Sequence, residues 1–300
     1  MNVLIVGGAG FIGSHLAERL LAEGHTVDIV DLLSTGSLAN LANARSLGGE
    51  LKIHTLDAGA EAFQALVSMR NPEVVYHLGV LPPGVPAEQC AGDAMRTTLA
   101  VLEAARVRGD VKIVMALSAV TLYGDVPSKD QPIKESQPWS PVGVHGVVTR
   151  TLAELLTVYR EEHAVEFTAL ALTNVYGPRQ RPDAGVVAAF DHALREGSTP
   201  HLHGDGRQSR DFVYIDDAVD ALVRAAVKGS GLVINVGTGI ATSIRDLWTL
   251  MAGPDGRQPA PSPRRQHDIS RFAVAPTRAR IHLAWAPWTE LGIGLRGVGR

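Results

Sequence analysis

The segment Gly7-Gly8-Ala9-Gly10-Phe11-Ile12-Gly13 lies between an apolar run at 3–6 and a stretch at 11–23 with helical spacing. Its glycines suit a phosphate cradle. The first permits a tight turn, the second admits backbone to a pyrophosphate, and the third lets helix and strand pack closely. Gly10, Phe11 and Ile12 open the helix, whose free N–H groups and partial positive charge favour an anion. Read alone, the glycines fit a plain turn as well. Asp31 decides between the two, because it ends the next apolar run and is placed to accept from ribose hydroxyls. A carboxylate there repels a 2′-phosphate, so the pattern leans toward NAD(H). Ser34, with Thr35 and Ser37, leaves NADP(H) open.

Two later segments fit the same dinucleotide. Asp57 and Ala58 follow the third apolar run, where Asp57 either faces the adenine or caps the helix at 60–70. Leu78, Gly79 and Val80 follow the fourth, and small residues there let backbone approach a ligand. His77, just before them, reads as a core or strand-end histidine.

These residues need a scaffold that brings strand ends together. Apolar runs at 3–6, 26–30, 51–55, 74–78, 112–117 and 167–172 alternate with helical patterns at 11–23, 60–70, 88–108 and 147–162. That order predicts an α/β fold, a doubly wound parallel sheet covered by helices on both faces. After 175 the alternation gives way to Gly/Pro/Arg-rich loops, read as a smaller C-terminal substrate lobe. A helix at 216–226 and a strand at 232–235 return to the sheet. The expected division is 1–175 with 212–240 for the dinucleotide and 176–211 with 241–300 for the substrate. Loops at 82–90, 177–185 and 252–266 are expected to shape the substrate pocket.

Composition narrows the partners. The chain has 300 residues, 45% hydrophobic, and a net charge of −3, so no basic footprint for nucleic acid or an anionic membrane exists. One cysteine, Cys90, excludes a disulfide framework and a cysteine-based zinc site, and no metal is expected. No signal peptide or membrane-length apolar stretch is present, so the expected location is cytoplasmic. Arginine far outnumbers lysine, a sign of GC-rich coding.

Several ordered segments resemble the extended short-chain dehydrogenase/reductase family, the sugar-nucleotide epimerases and dehydratases. They are 7–15, Asp31, Asp57, His77-Leu78, Leu122-Tyr123-Gly124, Asn174-Val175-Tyr176-Gly177-Pro178-Arg179-Gln180, the run from Arg210 to Ala218, and Asn235-Val236-Gly237-Thr238-Gly239. The resemblance implies a Rossmann domain holding NAD(P), with Asn174 and Val175 beside the cofactor. It implies that Leu81, Ala119, Tyr123, Gly146, Asn174 and Arg210 surround the substrate. Relatives pair through the helices at 88–108 and 147–162, so either a monomer or a homodimer is expected.

The reacting positions depart from the family's Ser/Thr and Tyr-x-x-x-Lys. Counting from Tyr123-Gly124 puts the Ser/Thr position on Ala119. Counting from Leu152-Ala153-Glu154 puts Tyr on Gly146 and Lys on Arg150, and a second register from Ser140-Pro141 puts them on Val142 and Gly146. No register supplies a tyrosine. Arg150 retains a cation, to position the cofactor or simply to face solvent. Gly146 either makes room for a bulky ligand or is a degenerate position. A proton must then come from Ser118, Thr121 or His145, from water, or from a substrate phenol beside the carbonyl.

The resulting expectation is an NAD(P)H-dependent ketoreductase acting on an aromatic ketone, a polycyclic polyketide, similar to atypical reductases of antibiotic pathways such as angucyclinone ketoreductases. Its proton comes from the substrate. Two alternatives stay open: a sugar-nucleotide epimerase or dehydratase with a relocated acid/base such as His145, and a non-enzymatic dinucleotide sensor.

Overall fold

A computed structural model describes residues 1–81, 85–253, 256–263 and 268–298. Parts of the expected loops at 82–90 and 252–266 therefore lie outside the described residues.

Seven parallel strands form one sheet in the order Leu232–Val236, Phe167–Leu172, Lys112–Ser118, Val74–His77, Asn2–Val6, Thr26–Val30, Leu51–His54. This is the expected doubly wound α/β sheet. Alternation along Asn2–Val6 explains why both faces need cover. Val3 and Ile5 join one core with Leu16, Leu20, Leu222 and Ala225 from helices Phe11–Ala22 and Ile215–Ala225. Leu4 and Val6 join the other with Phe63, Leu102, Leu152 and Leu156 from helices Glu61–Arg70, Ala87–Arg108 and Gly143–His163.

Chain order reverses at Asn2–Val6, whose neighbours are Thr26–Val30 on one side and Val74–His77 on the other. Open α/β sheets bind ligands outside the carboxyl ends of their strands at such a switch point. Gly7, Asp31 and Leu78 emerge there.

Past the sixth strand the architecture changes to small pairs. Asn174–Tyr176 runs parallel to Phe212–Tyr214, Thr242–Ser243 antiparallel to Ser209–Arg210, and Ala260–Ser262 parallel to His201–His203. Tyr176, Phe190, Phe212, Leu247 and Trp248 give this lobe its own core. Asp211, fully buried, ties it to the sheet. Its carboxylate accepts from Thr238 N at 2.8 Å, Thr238 Oγ1 at 2.6 Å and Gly239 N at 3.0 Å. No helix among the described residues is long and apolar enough to cross a membrane.

Helix Gly143–His163 starts four residues earlier than the 3.6-residue spacing alone indicates. That earlier start decides which side chains it offers to the sheet's carboxyl edge.

Candidate active site

A cavity of about 600 Å³ runs along the carboxyl edge of the sheet, lined from Asp31 at one end, past Gly7, to Ser118, His145 and Asn174 at the other. Its centre is the glycine loop. Gly7 has φ of 82°, and a Cβ there would sit 2.6 Å from Gly79 N, so two backbone segments meet with no room for a side chain. A Cβ on Gly13 would run into the Gly7 carbonyl oxygen. Gly10 occupies the cap position of helix Phe11–Ala22 and offers no side-chain acceptor, leaving first-turn N–H groups available to a phosphate.

Asp31 holds both carboxylate oxygens in place. Oδ2 accepts from Ala9 N and Oδ1 from Leu33 N, each at 2.8 Å. Leu33 adopts φ of 59° to present that amide. Each oxygen keeps a further lone pair for a ribose hydroxyl. Ser34 lines the same end.

Asp57 accepts from Gly59 N at 2.8 Å and pairs with Arg96 at 2.8 Å. The Arg96 guanidinium holds its carboxyl below the usual carboxylate range. It does not cap the following helix, whose cap residue is Ala60 without a side-chain bond. Asp57 and Ala58 line the cavity, as do Phe11, Ile12, Leu78, Gly79, Val80, Leu81, Asn174 and Val175. These surfaces fit a dinucleotide: a Cβ-free cradle at the centre, an anchored carboxylate on one side and open space on the other.

Chemistry requires movable protons, and the far end of the cavity supplies hydroxyls and one imidazole. Ser118 ends its strand and accepts from Thr121 N at 3.4 Å. Thr121 Oγ1 lies 3.1 Å from Thr149 Oγ1, and Thr149 Oγ1 donates to the His145 carbonyl at 2.7 Å. Ser118, Thr121, His145 and Thr149 all line the cavity. The His145 imidazole has no hydrogen-bond partner among the described residues.

Five expected site residues lie elsewhere. Arg150 is exposed and binds Glu154 through Nε at 2.7 Å, because the next residue along a helix turns about 100° away from Thr149. Gly146 gives no room to a ligand. A Cβ there would lie 2.7 Å from the Thr121 carbonyl oxygen and 2.9 Å from Pro141 Cβ, so this glycine seats one helix on another. Ala119 is buried in a cluster with Leu122, Phe272 and Val274. Tyr123 is fully buried and donates to Asn235 Oδ1 at 2.9 Å, with burial pushing its phenol up to about 12. Arg210 does not line the cavity. It pairs with Asp268 at 2.6 Å and donates to the Ile269 carbonyl.

The side chains that helix Gly143–His163 brings to the cavity are those of His145 and Thr149, spaced i, i+4 as a Tyr-x-x-x-Lys pair would be. Thr149 went unread in the sequence although it stands four residues after His145. Arg179 also lines the cavity. His77 is fully buried with Nε2 3.0 Å from Thr98 Oγ1, and burial lowers its imidazole to about 4, so it stays neutral.

Residues 3–237 match the family model described as the NAD dependent epimerase/dehydratase family. A UDP-glucose 4-epimerase from Mycolicibacterium smegmatis is 38% identical, the match covering 98% of this chain and 96% of that protein. Two solved structures superpose closely. One is a UDP-glucose 4-epimerase from Thermotoga maritima with UDP-glucose, with TM-score 0.93, 31% identity and 100% and 97% of the two chains covered. The other is the UDP-glucose 4-epimerase of Thermus thermophilus in complex with NAD, with TM-score 0.89, 29% identity and 100% and 98% covered.

These matches overturn the expected ketoreductase acting on an aromatic polyketide, since the relatives spanning the chain carry sugar-nucleotide names. Together with the seven-stranded sheet and the glycine cradle, they establish that this chain belongs to the NAD-dependent epimerase/dehydratase family.

Proposed function

We propose that this protein is an NAD(H)-dependent enzyme acting on a nucleoside diphosphate sugar, inverting a hydroxyl-bearing carbon, with His145 as its acid/base. In this reading 1–175 with 212–240 holds the dinucleotide, and 176–211 with 241–300 faces the sugar nucleotide. The observation that carries it is the placement of His145, an imidazole without a hydrogen-bond partner among the described residues, on the cavity wall beside Ser118 and Thr121. Relatives named for sugar-nucleotide epimerisation over nearly the whole chain support the substrate class.

NAD, when bound, supplies hydride acceptance and return. The chain handles the proton. Neutral imidazole takes it from the sugar hydroxyl as that carbon becomes a ketone, and the imidazolium returns it when the alcohol re-forms. Ser118 Oγ, which accepts from Thr121 N and keeps its own proton, donates to the ketone oxygen, while the Thr121 hydroxyl donates to the Ser118 carbonyl at 3.2 Å. Gly7, Gly10 and Asp31 hold the pyrophosphate and ribose of the dinucleotide, fixing where its nicotinamide lies.

The test is incubation with NAD⁺ and UDP-glucose, UDP-galactose or TDP-glucose, following anomeric signals by proton NMR. Interconversion of the 4-epimers is expected, falling about a hundredfold in His145→Ala, within the usual range for a general acid/base. Failure of every nucleotide sugar to turn over or to raise the melting temperature would overturn the assignment.

A further inference from the structure

Among the described residues, the reaction end of the cavity holds one imidazole, that of His145. Ser118, Thr121 and Thr149, which line it from the strand end, the adjoining helical turn and helix Gly143–His163, are uncharged. Arg150, the nearest cation in sequence, is turned outward onto Glu154. Asp31 and Asp57 follow strands three and four positions away across the sheet from Lys112–Ser118, about 14 and 19 Å at ordinary strand spacing. Arg179 is tied to Glu18, and Arg181 pairs with Asp183. That leaves His145. Imidazole is the side chain that gains or loses charge between pH 5 and 8.

A dinucleotide with its pyrophosphate on helix Phe11–Ala22 and one ribose on Asp31 extends its other half toward Ser118 and His145. The inference rests on that reading of the cavity. The nicotinamide ring carries a positive charge when oxidised and none when reduced. An imidazolium beside it repels the oxidised form alone.

We infer that His145 selects the oxidation state of the bound dinucleotide, favouring NADH when protonated and NAD⁺ when neutral. Binding of NAD⁺ then expels a proton from His145, and binding of NADH does not. A lysine at position 149 would impose a fixed preference on this end. Threonine leaves the choice to a single proton.

The test needs no sugar, so it separates this inference from the reaction assignment. Dissociation constants for NAD⁺ and NADH are measured by calorimetry between pH 5.5 and 8.5. The ratio of the NAD⁺ to the NADH constant is expected to fall about tenfold or more with rising pH, the scale of one nearby charge. In His145→Gln it should stay within about twofold. Calorimetry of the wild type in buffers of different ionisation enthalpy should show proton release with NAD⁺ only, which needs no variant to fold. A flat ratio in the wild type, equal proton release for both forms, or an undiminished slope in His145→Gln overturns the inference. Loss of sugar-nucleotide turnover alone bears only on the reaction.

Discussion

The Thr149 hydroxyl donates to the His145 carbonyl at 2.7 Å, so the two residues sit one helical turn apart on the same wall of the cavity. This places a neutral hydroxyl, itself 3.1 Å from Thr121 Oγ1, one turn along the helix from the imidazole.

The register itself is open to test. His145→Tyr combined with Thr149→Lys rebuilds a Tyr-x-x-x-Lys pair on the cavity face and should raise nucleotide-sugar turnover about tenfold or more. Gly146→Tyr with Arg150→Lys, the register counted from the sequence, should instead lose activity. Its tyrosine Cβ meets the Thr121 carbonyl oxygen at 2.7 Å. Overpacking of that kind costs about 1–3 kcal/mol, measurable by urea unfolding. The reverse ranking of the two double variants would restore Gly146 to the reaction site.

Fold and cofactor end were legible because their signals are local. The glycine spacing, Asp31 and the apolar runs each depend on residues close in sequence, and the sheet formed at those runs within a residue or two. The reaction end was harder to read because it depends on helix phase. The first turn of Gly143–His163 is Gly-Val-His-Gly, with little apolar periodicity to mark its start, so counting back from Leu152 slipped by one residue. A slip of one turns a side chain about 100°. That exchanges His145 and Thr149 for Gly146 and Arg150. Tyr123 and Arg210 misled for another reason: their partners, Asn235 and Asp268, are more than fifty residues away and have no local signature.

Tyr123 serves the fold. Its hydroxyl satisfies Asn235 Oδ1, while Asn235 Nδ2 donates to the Ile133 carbonyl at 3.0 Å, joining the last sheet strand to the segment after the 3₁₀ turn at 128–130. Tyr123→Phe leaves a buried acceptor without its donor and should cost about 1–2 kcal/mol in urea unfolding. Turnover at 25 °C should stay within about twofold of wild type, since this hydroxyl does not face the cavity. A large fall in turnover with unchanged stability would return Tyr123 to the reaction.

His77 gives stability a specific pH dependence. Burial lowers its folded imidazole to about 4 against 6.5 for the free group, so between those values the unfolded chain binds a proton that the folded chain refuses. The contribution is fully present above pH 6.5 and is lost as pH falls toward 4. Between pH 7 and 4.5 the loss should be about 2–3 kcal/mol. Urea unfolding of wild type and His77→Gln across that range checks it. The variant should show the shallower fall with acid, and parallel curves would refute the assignment.

Arg179 closes the phosphate end of the cavity. One guanidinium nitrogen, Nη1, donates to Ser14 Oγ at 3.1 Å, Glu18 Oε1 at 2.9 Å and the Asn40 carbonyl at 2.8 Å, and Nη2 reaches Glu18 Oε2 at 2.8 Å. Asn40 in turn donates from Nδ2 to the Ala9 carbonyl at 2.9 Å. The helix that offers its N-terminus to phosphate, the loop after Asp31 and the segment after Tyr176 are thus held by one side chain. Removing it in Arg179→Ala frees the Asn40 loop, and NAD⁺ should bind about tenfold more weakly, mostly through faster release. Arg179→Lys should recover little, because an ammonium cannot reproduce the planar fork that spans both Glu18 oxygens. Stopped-flow displacement of NADH fluorescence measures the release rate directly. An unchanged release rate in Arg179→Ala would mean that the loop is held by Ala9 and Asn40 alone.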